Sequence, residues 1–132
     1  MTKTEEKTMA AILVYDGDRQ YQHELKTRLQ KQGHQVWLAD RLDQINTILR
    51  DVAINLMILD VDQHDLNLLT EFADRWRGIK ILFRASDFYI KQDFRAWMAD
   101  DLISKNGDSE QVTKAVSRLL NGEYKKINFQ SN

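Results

Sequence analysis

Cysteine is absent from the chain. Neither a disulfide framework nor a thiolate metal site is therefore available, which suits a reducing compartment. Proline is absent too, so turns must be made by Gly, Asn, Asp and Ser. Glycine is sparse, and no G-x-G-x-x-G loop follows the first apolar run, where Asp16-Gly17-Asp18 stands instead. That disfavours a dinucleotide enzyme, and acids there would repel an anionic flavin cofactor. No apolar run approaches the length of a membrane span, and Met1 to Ala10 lacks the apolar centre of a signal peptide. Neither sign of charge dominates. With 19 basic and 20 acidic residues the formal net charge is −1, which argues against bulk attraction to nucleic acid. A cytoplasmic location is expected.

What is present suffices for one core. The chain has 132 residues, the size of one ordinary domain, and 42% of them are hydrophobic. Ala10 to Tyr15 is a short apolar run ended by acids, the pattern of a buried strand meeting a loop. Arg19 to Gln32 places Tyr21, Leu25 and Leu29 four apart, the stripe of an amphipathic helix, with Gly33 where a C-terminal cap belongs. His34 to Ala39 reads as a second strand, and Asp40 as the cap of a helix carrying Leu42, Ile45, Ile48 and Leu49. Ile54 to Leu59 is the most apolar strand candidate and ends at Asp60. A helix near 65–77 follows, then a strand over Ile79 to Phe83 and a helix over Asp87 to Met98. A short strand over Asp101 to Ser104 ends at Lys105, and Asp108 caps a last helix on Val112, Ala115, Val116 and Leu119.

Five strands alternating with five helices predict an α/β fold, a parallel sheet covered on both faces. The expected boundaries are a flexible tail over 1–9, one domain over 10–120, and a tail or linker over 121–132.

In an open parallel sheet, sites form at the carboxyl ends of the strands. Those ends carry Asp16, Asp18, Asp60, Arg84 and Lys105. Carboxylates gathered on one edge require a compensating cation or proton, and Mg²⁺ is the natural hard cation for oxygen ligands. A carboxylate so placed can attack phosphorus to give an acyl phosphate, with an ammonium screening the phosphoryl oxygens. Asp18 also suits a helix cap. His23, His34 and His64 share no ligand-like spacing, and Trp37, Trp76 and Trp97 lie on apolar faces as packing residues.

The order I-L-V-Y-D-G-D, L-M-I-L-D-V, K-I-L-F-R-A-S and M-A-D-D-L-I-S-K resembles a receiver domain of two-component response regulators, over about residues 10 to 120. The resemblance implies a flavodoxin-like fold with strand order 2-1-3-4-5 and phosphoryl transfer from a histidine kinase or phosphotransfer protein to an aspartate. It implies Asp60 as the acceptor, Lys105 as the phosphoryl contact, and Mg²⁺ bound by Asp16, Asp60 and the backbone carbonyl of Asp62, with Asp18 a weaker candidate. A downstream protein is expected as partner, but neither nucleic acid nor membrane. A homodimer is expected through the face built by the 87–98 helix, the last strand and the last helix.

Several positions depart from that pattern. The second acid of the family's pair falls on Gly17, which has no carboxylate. The switch hydroxyl falls on Arg84, where two placements are open: pairing with Asp60 in place of the metal's charge, or pointing into solvent. The switch aromatic falls on Leu102, and the proline after the lysine falls on Asn106. The loop after Asp60 is shorter than usual. Two functions follow, a phosphorylated switch or a pseudo-receiver that binds partners in one fixed state. An enzyme is not expected beyond self-catalysed transfer at Asp60. A phosphohydrolase acting through an aspartyl phosphate is a third reading, and no cap domain is visible to hold its substrate.

Overall fold

The structure is a computed structural model that describes residues 9–61, 76–86, 99–105 and 108–122. The helices expected over 65–77 (apart from its end) and 87–98 lie outside the described residues, as do Asp62, His64, Trp97 and the two chain ends.

The described chain runs β1 (Ala11–Tyr15), α1 (Arg19–Lys31), β2 (Gln35–Ala39), α2 (Leu42–Asp51), β3 (Leu56–Val61), β4 (Lys80–Ala85), β5 (Asp101–Ser104) and α3 (Ser109–Leu120). The five strands form one parallel sheet in the order β2-β1-β3-β4-β5. This is the expected fold class and strand order.

Alternation along each strand sorts the core into two layers, because successive side chains leave opposite faces of a sheet. Ile12, Val14, Leu56, Ile58 and Leu82 pack with Leu25 and Leu29 of α1 and with Val112, Ala115, Val116 and Leu119 of α3. Leu13, Met57, Leu59, Ile81 and Phe83 form the other layer with Ile45 of α2 and with Trp76. Each fully buried leucine or isoleucine contributes about 1.5–3 kcal/mol. The two layers thus hold the strands in register, since a one-residue slip would exchange them.

Helix ends follow their local chemistry. Asp18 is the N-cap of α1, its Oδ1 accepting from the Tyr21 N–H at 3.1 Å. At the other end Gly33 adopts φ +96°. Its N–H donates to Gln30 O, and the His34 N–H donates to Leu29 O, the two bonds of a Schellman motif. Asp108 caps α3 through the Gln111 N–H. Asp40 does not cap α2 as expected. Arg41 is the N-cap, and the Gln44 side chain reaches back to accept from the N–H groups of Asp40 and Arg41. The amide side chain satisfies those donors and leaves the Asp40 carboxylate outside the cap.

Two strands run further than the apolar pattern predicts. β3 continues through Asp60 and Val61, and β4 through Arg84 and Ala85. The ladder carries them, pairing Asp60 with Arg84 and Val61 with Ala85. Asp60 and Arg84 stand past Ile58 and Leu82, the last residues these strands give to the α1/α3 layer, while Val61 and Ala85 still join the opposite layer.

Candidate functional site

Three chemically active side chains share one parity. Asp16 stands two residues past Val14, Asp60 two past Ile58, and Arg84 two past Leu82. All three therefore leave the sheet on the α1/α3 face, at its carboxyl edge. Asp16 follows Tyr15, which pairs with Leu59, so it lies level with Asp60. Lys105 follows β5 directly, its N–H bonded to Ala85 O.

The two cations reach the two carboxylates by crossing over intervening strands. Lys105 Nζ passes β4 to contact Asp60 Oδ1 on β3. Arg84 passes β3 to reach β1, where its Nη1 donates to Asp16 Oδ2 at 2.7 Å. Alternate strands lie about 9–10 Å apart, so a hydroxyl at position 84 could not span that gap. Of the two placements open for Arg84 in the sequence, neither is adopted as stated. The side chain is only 9% exposed, so it does not point into solvent, and its hydrogen bond goes to Asp16 rather than to Asp60.

A closed circuit of contacts fixes this arrangement. Asp16 Oδ1 accepts from the Asp18 N–H at 2.9 Å. Asp18 in turn caps α1 at Tyr21. The Arg84 guanidinium lies 3.6 Å from the centroid of the Tyr21 ring and closes the circuit on Asp16 Oδ2. Stacking of a guanidinium on an aromatic face adds about 0.5–2 kcal/mol, more where water is excluded. Arg84 Nε is buried and has no partner among the described residues.

Burial pushes the Asp16 carboxyl up to about 6, and the nearby Asp60 charge pushes in the same direction. The Asp18 N–H and the Arg84 guanidinium oppose them. The Tyr21 phenol is raised to about 12, chiefly by burial, against the lowering influence of Arg84. Tyr21 is therefore a neutral stacking platform at ordinary pH.

Gln22 and Tyr21 are contributors that the sequence does not single out. Gln22 is buried, and its Nε2 donates to Val14 O and Ala39 O. It thereby ties the ends of β1 and β2 beneath the acid loop. Tyr21 reads in the sequence as one more apolar position of α1. Its place in the first helical turn after an acid loop was the one available signal.

A divalent cation does not fit the donors as arranged. Both Asp16 oxygens are engaged, one by Asp18 and one by Arg84. Asp60 Oδ1 is engaged by Lys105. Gly17 supplies no carboxylate, and Asp18 uses Oδ1 as a cap. Among the described residues no group of three or more His, Cys, Asp or Glu is placed to hold a metal ion. Also among them, no helix is long and apolar enough to cross a membrane.

No protein-family model matches the sequence, and no curated protein matches it either. Solved structures do match in fold. A response regulator from Thermotoga maritima superposes with a TM-score of 0.75 at 21% identity, over 86% of this chain and 99% of that one. The response regulator TrrA from Thermotoga maritima, solved in complex with Mg²⁺ and BeF, gives 0.73 at 23% identity over 84% and 99%. NtrX from Brucella abortus, in complex with ADP, gives 0.76 at 22% identity, over 88% of this chain but 27% of that longer one. With its five parallel strands in the order 2-1-3-4-5, the chain has the flavodoxin-like fold of response-regulator receiver domains.

Proposed function

We propose that this chain is a receiver module of two-component signalling, with Asp60 as its phosphoryl acceptor. The observation that carries the reading is the Asp60–Lys105 pair at the carboxyl edge of the sheet. Asp60 is neither sealed in the core nor fully solvated, its side chain being 17% exposed. A phosphohistidine of a sensor kinase or phosphotransfer protein is the donor. One Asp60 carboxylate oxygen attacks phosphorus, the new O–P bond forms as the P–N bond breaks, and the imidazole departs with the electron pair. In this reading the Lys105 ammonium, paired with Asp60, screens the phosphoryl oxygens as charge accumulates on them. No step is assigned to Mg²⁺. The output is contact with a downstream protein or a second copy, through β5, α3 and the helix expected over 87–98. The chain turns over no separate substrate.

Incubation with acetyl phosphate, read by intact-protein mass, should add one phosphoryl group to the wild type and none to Asp60→Asn. Absence of labelling in wild-type protein at saturating donor refutes the assignment.

The circuit through Asp16, Asp18, Tyr21 and Arg84 favours a second reading, a pseudo-receiver that binds partners in a single state. Under that reading beryllofluoride leaves the amide spectrum unchanged. Under the first it shifts the resonances around Asp60 and Lys105.

A further inference from the structure

We propose that Arg84 is a built-in counter-ion that takes the place of a divalent cation, so that the acid site of this chain is complete in charge without metal. The inference uses the receiver reading only to say where a cation would be expected. It holds whether or not Asp60 is phosphorylated.

The resemblance to receivers places a second acid at Gly17 and a small hydroxyl at Arg84. Glycine removes one negative charge and arginine adds one positive charge. The two departures together change the site by the charge of one Mg²⁺ ion. With the Asp18 carboxylate serving as the exposed N-cap of α1, what remains is two carboxylates, Asp16 and Asp60, against two cations, Arg84 and Lys105. The departures therefore act as a matched pair rather than as two separate losses.

A cation serving this edge must meet Asp16 and lie beside Asp60. Arg84 is the ladder partner of Asp60 and bonds Asp16 at 2.7 Å. Its guanidinium takes the carboxylate oxygen that a metal would need. A guanidinium keeps its charge at any ordinary pH and is less strongly hydrated than an ammonium, which suits it to a site this enclosed.

Arginine carries large rotamer entropy, so a guanidinium used as a fixed ion must be held. Tyr21 holds it from the α1 side through ring stacking at 3.6 Å. Tyr21 is itself placed by the Asp18 cap, and the Asp18 N–H holds the other oxygen of Asp16. The loop that would otherwise position metal ligands is committed to positioning the arginine.

Restoring the two residues should restore the metal site. A Cβ added at Gly17 meets nothing within 4 Å, and Gly17 is not among the glycines at positive φ, so aspartate is accommodated there. The experiment is calorimetric titration of the intact chain with magnesium chloride, alongside manganese-induced broadening of the Asp16 and Asp60 amide resonances. The variants are Gly17→Asp, Gly17→Asp/Arg84→Thr and Gly17→Asp/Arg84→Gln. The last keeps much of the side chain's length if threonine proves too short for a stable fold. The wild type and Gly17→Asp should stay silent in both measurements. A folded double variant should bind at least about tenfold more tightly, a difference of about 1.4 kcal/mol. Saturable Mg²⁺ binding by the wild type overturns the proposal. So does Gly17→Asp binding as tightly as the double variants, or a folded double variant as silent as the wild type. None of these readouts uses a phosphodonor, so failure here is distinct from failure to label Asp60.

Discussion

Removing the Arg84 side chain should destabilise the domain by an amount that grows with pH. In Arg84→Ala, Asp16 stays buried, at 2% exposure, and loses its partner. Its carboxyl then has two options: to remain ionised and unpaired, or to take up a proton. The second sets a ceiling on the cost. In the wild type the Asp16 pKa is about 6 against an ordinary 3.8, with burial the largest cause and Arg84 one of the influences restraining it. Without Arg84 it must rise further. A carboxyl with a raised folded pKa makes the folded state hold a proton that the unfolded state has shed. Stability therefore falls with rising pH until the folded pKa is passed. For the wild type this fall ends near pH 6, whereas for the variant it continues. The gap between them opens above about pH 6 at up to about 1.4 kcal/mol per pH unit.

To this is added the lost stacking on Tyr21, about 0.5–2 kcal/mol and independent of pH over this range. The expected cost is about 1 kcal/mol near pH 6 and about 3–4 kcal/mol near pH 8. The upper figure agrees with the roughly 3–5 kcal/mol typical of removing one member of a buried ion pair. Urea unfolding at a slope of about 2 kcal/mol/M should show the midpoint falling by roughly 0.5 M near pH 6 and by over about 1.5 M near pH 8. Asp16→Asn in the same background should abolish the pH dependence, because the titrating group is gone. A loss equal at both pH values would refute the reasoning, since it would mean that Arg84 contributes packing but does not hold the Asp16 charge.

Two further substitutions test the parts around the arginine. Tyr21→Phe should change stability by less than about 0.5 kcal/mol, because Tyr21 OH has no partner among the described residues. Tyr21→Ala should cost about 2–3 kcal/mol through lost ring burial and lost stacking, and thermal unfolding separates the two. Gln22→Leu should cost about 1–3 kcal/mol, since Val14 O loses the amide and Ala39 O keeps only the Asp16 N–H. Amide exchange should show the β1–β2 end opening faster, and unchanged exchange there would mean that Gln22 does not tie the strands.

The parallel α/β architecture and the position of Asp60 were legible because both depend on local runs, whereas the strand order was implied by the resemblance to receiver domains. An apolar stretch followed by an acid marks a strand end wherever the strand lies in the sheet. Reading the ends of five such stretches gathers Asp16, Asp60 and Lys105 without knowing any distance. Arg84 was harder for a physical reason. Its partner lies two strands away, across Asp60, and nothing in K-I-L-F-R-A-S says how far the side chain reaches. Tyr21 was missed because helical periodicity reports only which face a residue occupies. Tyr21, Leu25 and Leu29 share one stripe, but Leu25 and Leu29 meet the core while Tyr21 stands at its upper rim, over a guanidinium. Asp40 was misassigned because cap preference ranks side chains one at a time and does not see Gln44 reaching back to the N–H groups of Asp40 and Arg41, which starts the helix one residue later.

The parity of the strands nevertheless held the answer for Arg84. Counting back by two from position 84 gives Leu82, and from positions 16 and 60 gives Val14 and Ile58, all three in one buried layer. An arginine on a strand flanked by β3 and β5, with that parity, leaves the sheet toward the α1/α3 layer, where Arg84 is buried. Its charge must be met within the site, and of the two carboxylates there Lys105 already holds Asp60. Asp16 is what remains. The same counting implies that a hydroxyl at position 84 would leave Asp16 without that cation, so that its carboxyl would need a proton or another cation. Residue 84 therefore decides whether the Asp16 charge is met by a side chain of the chain itself or from solution.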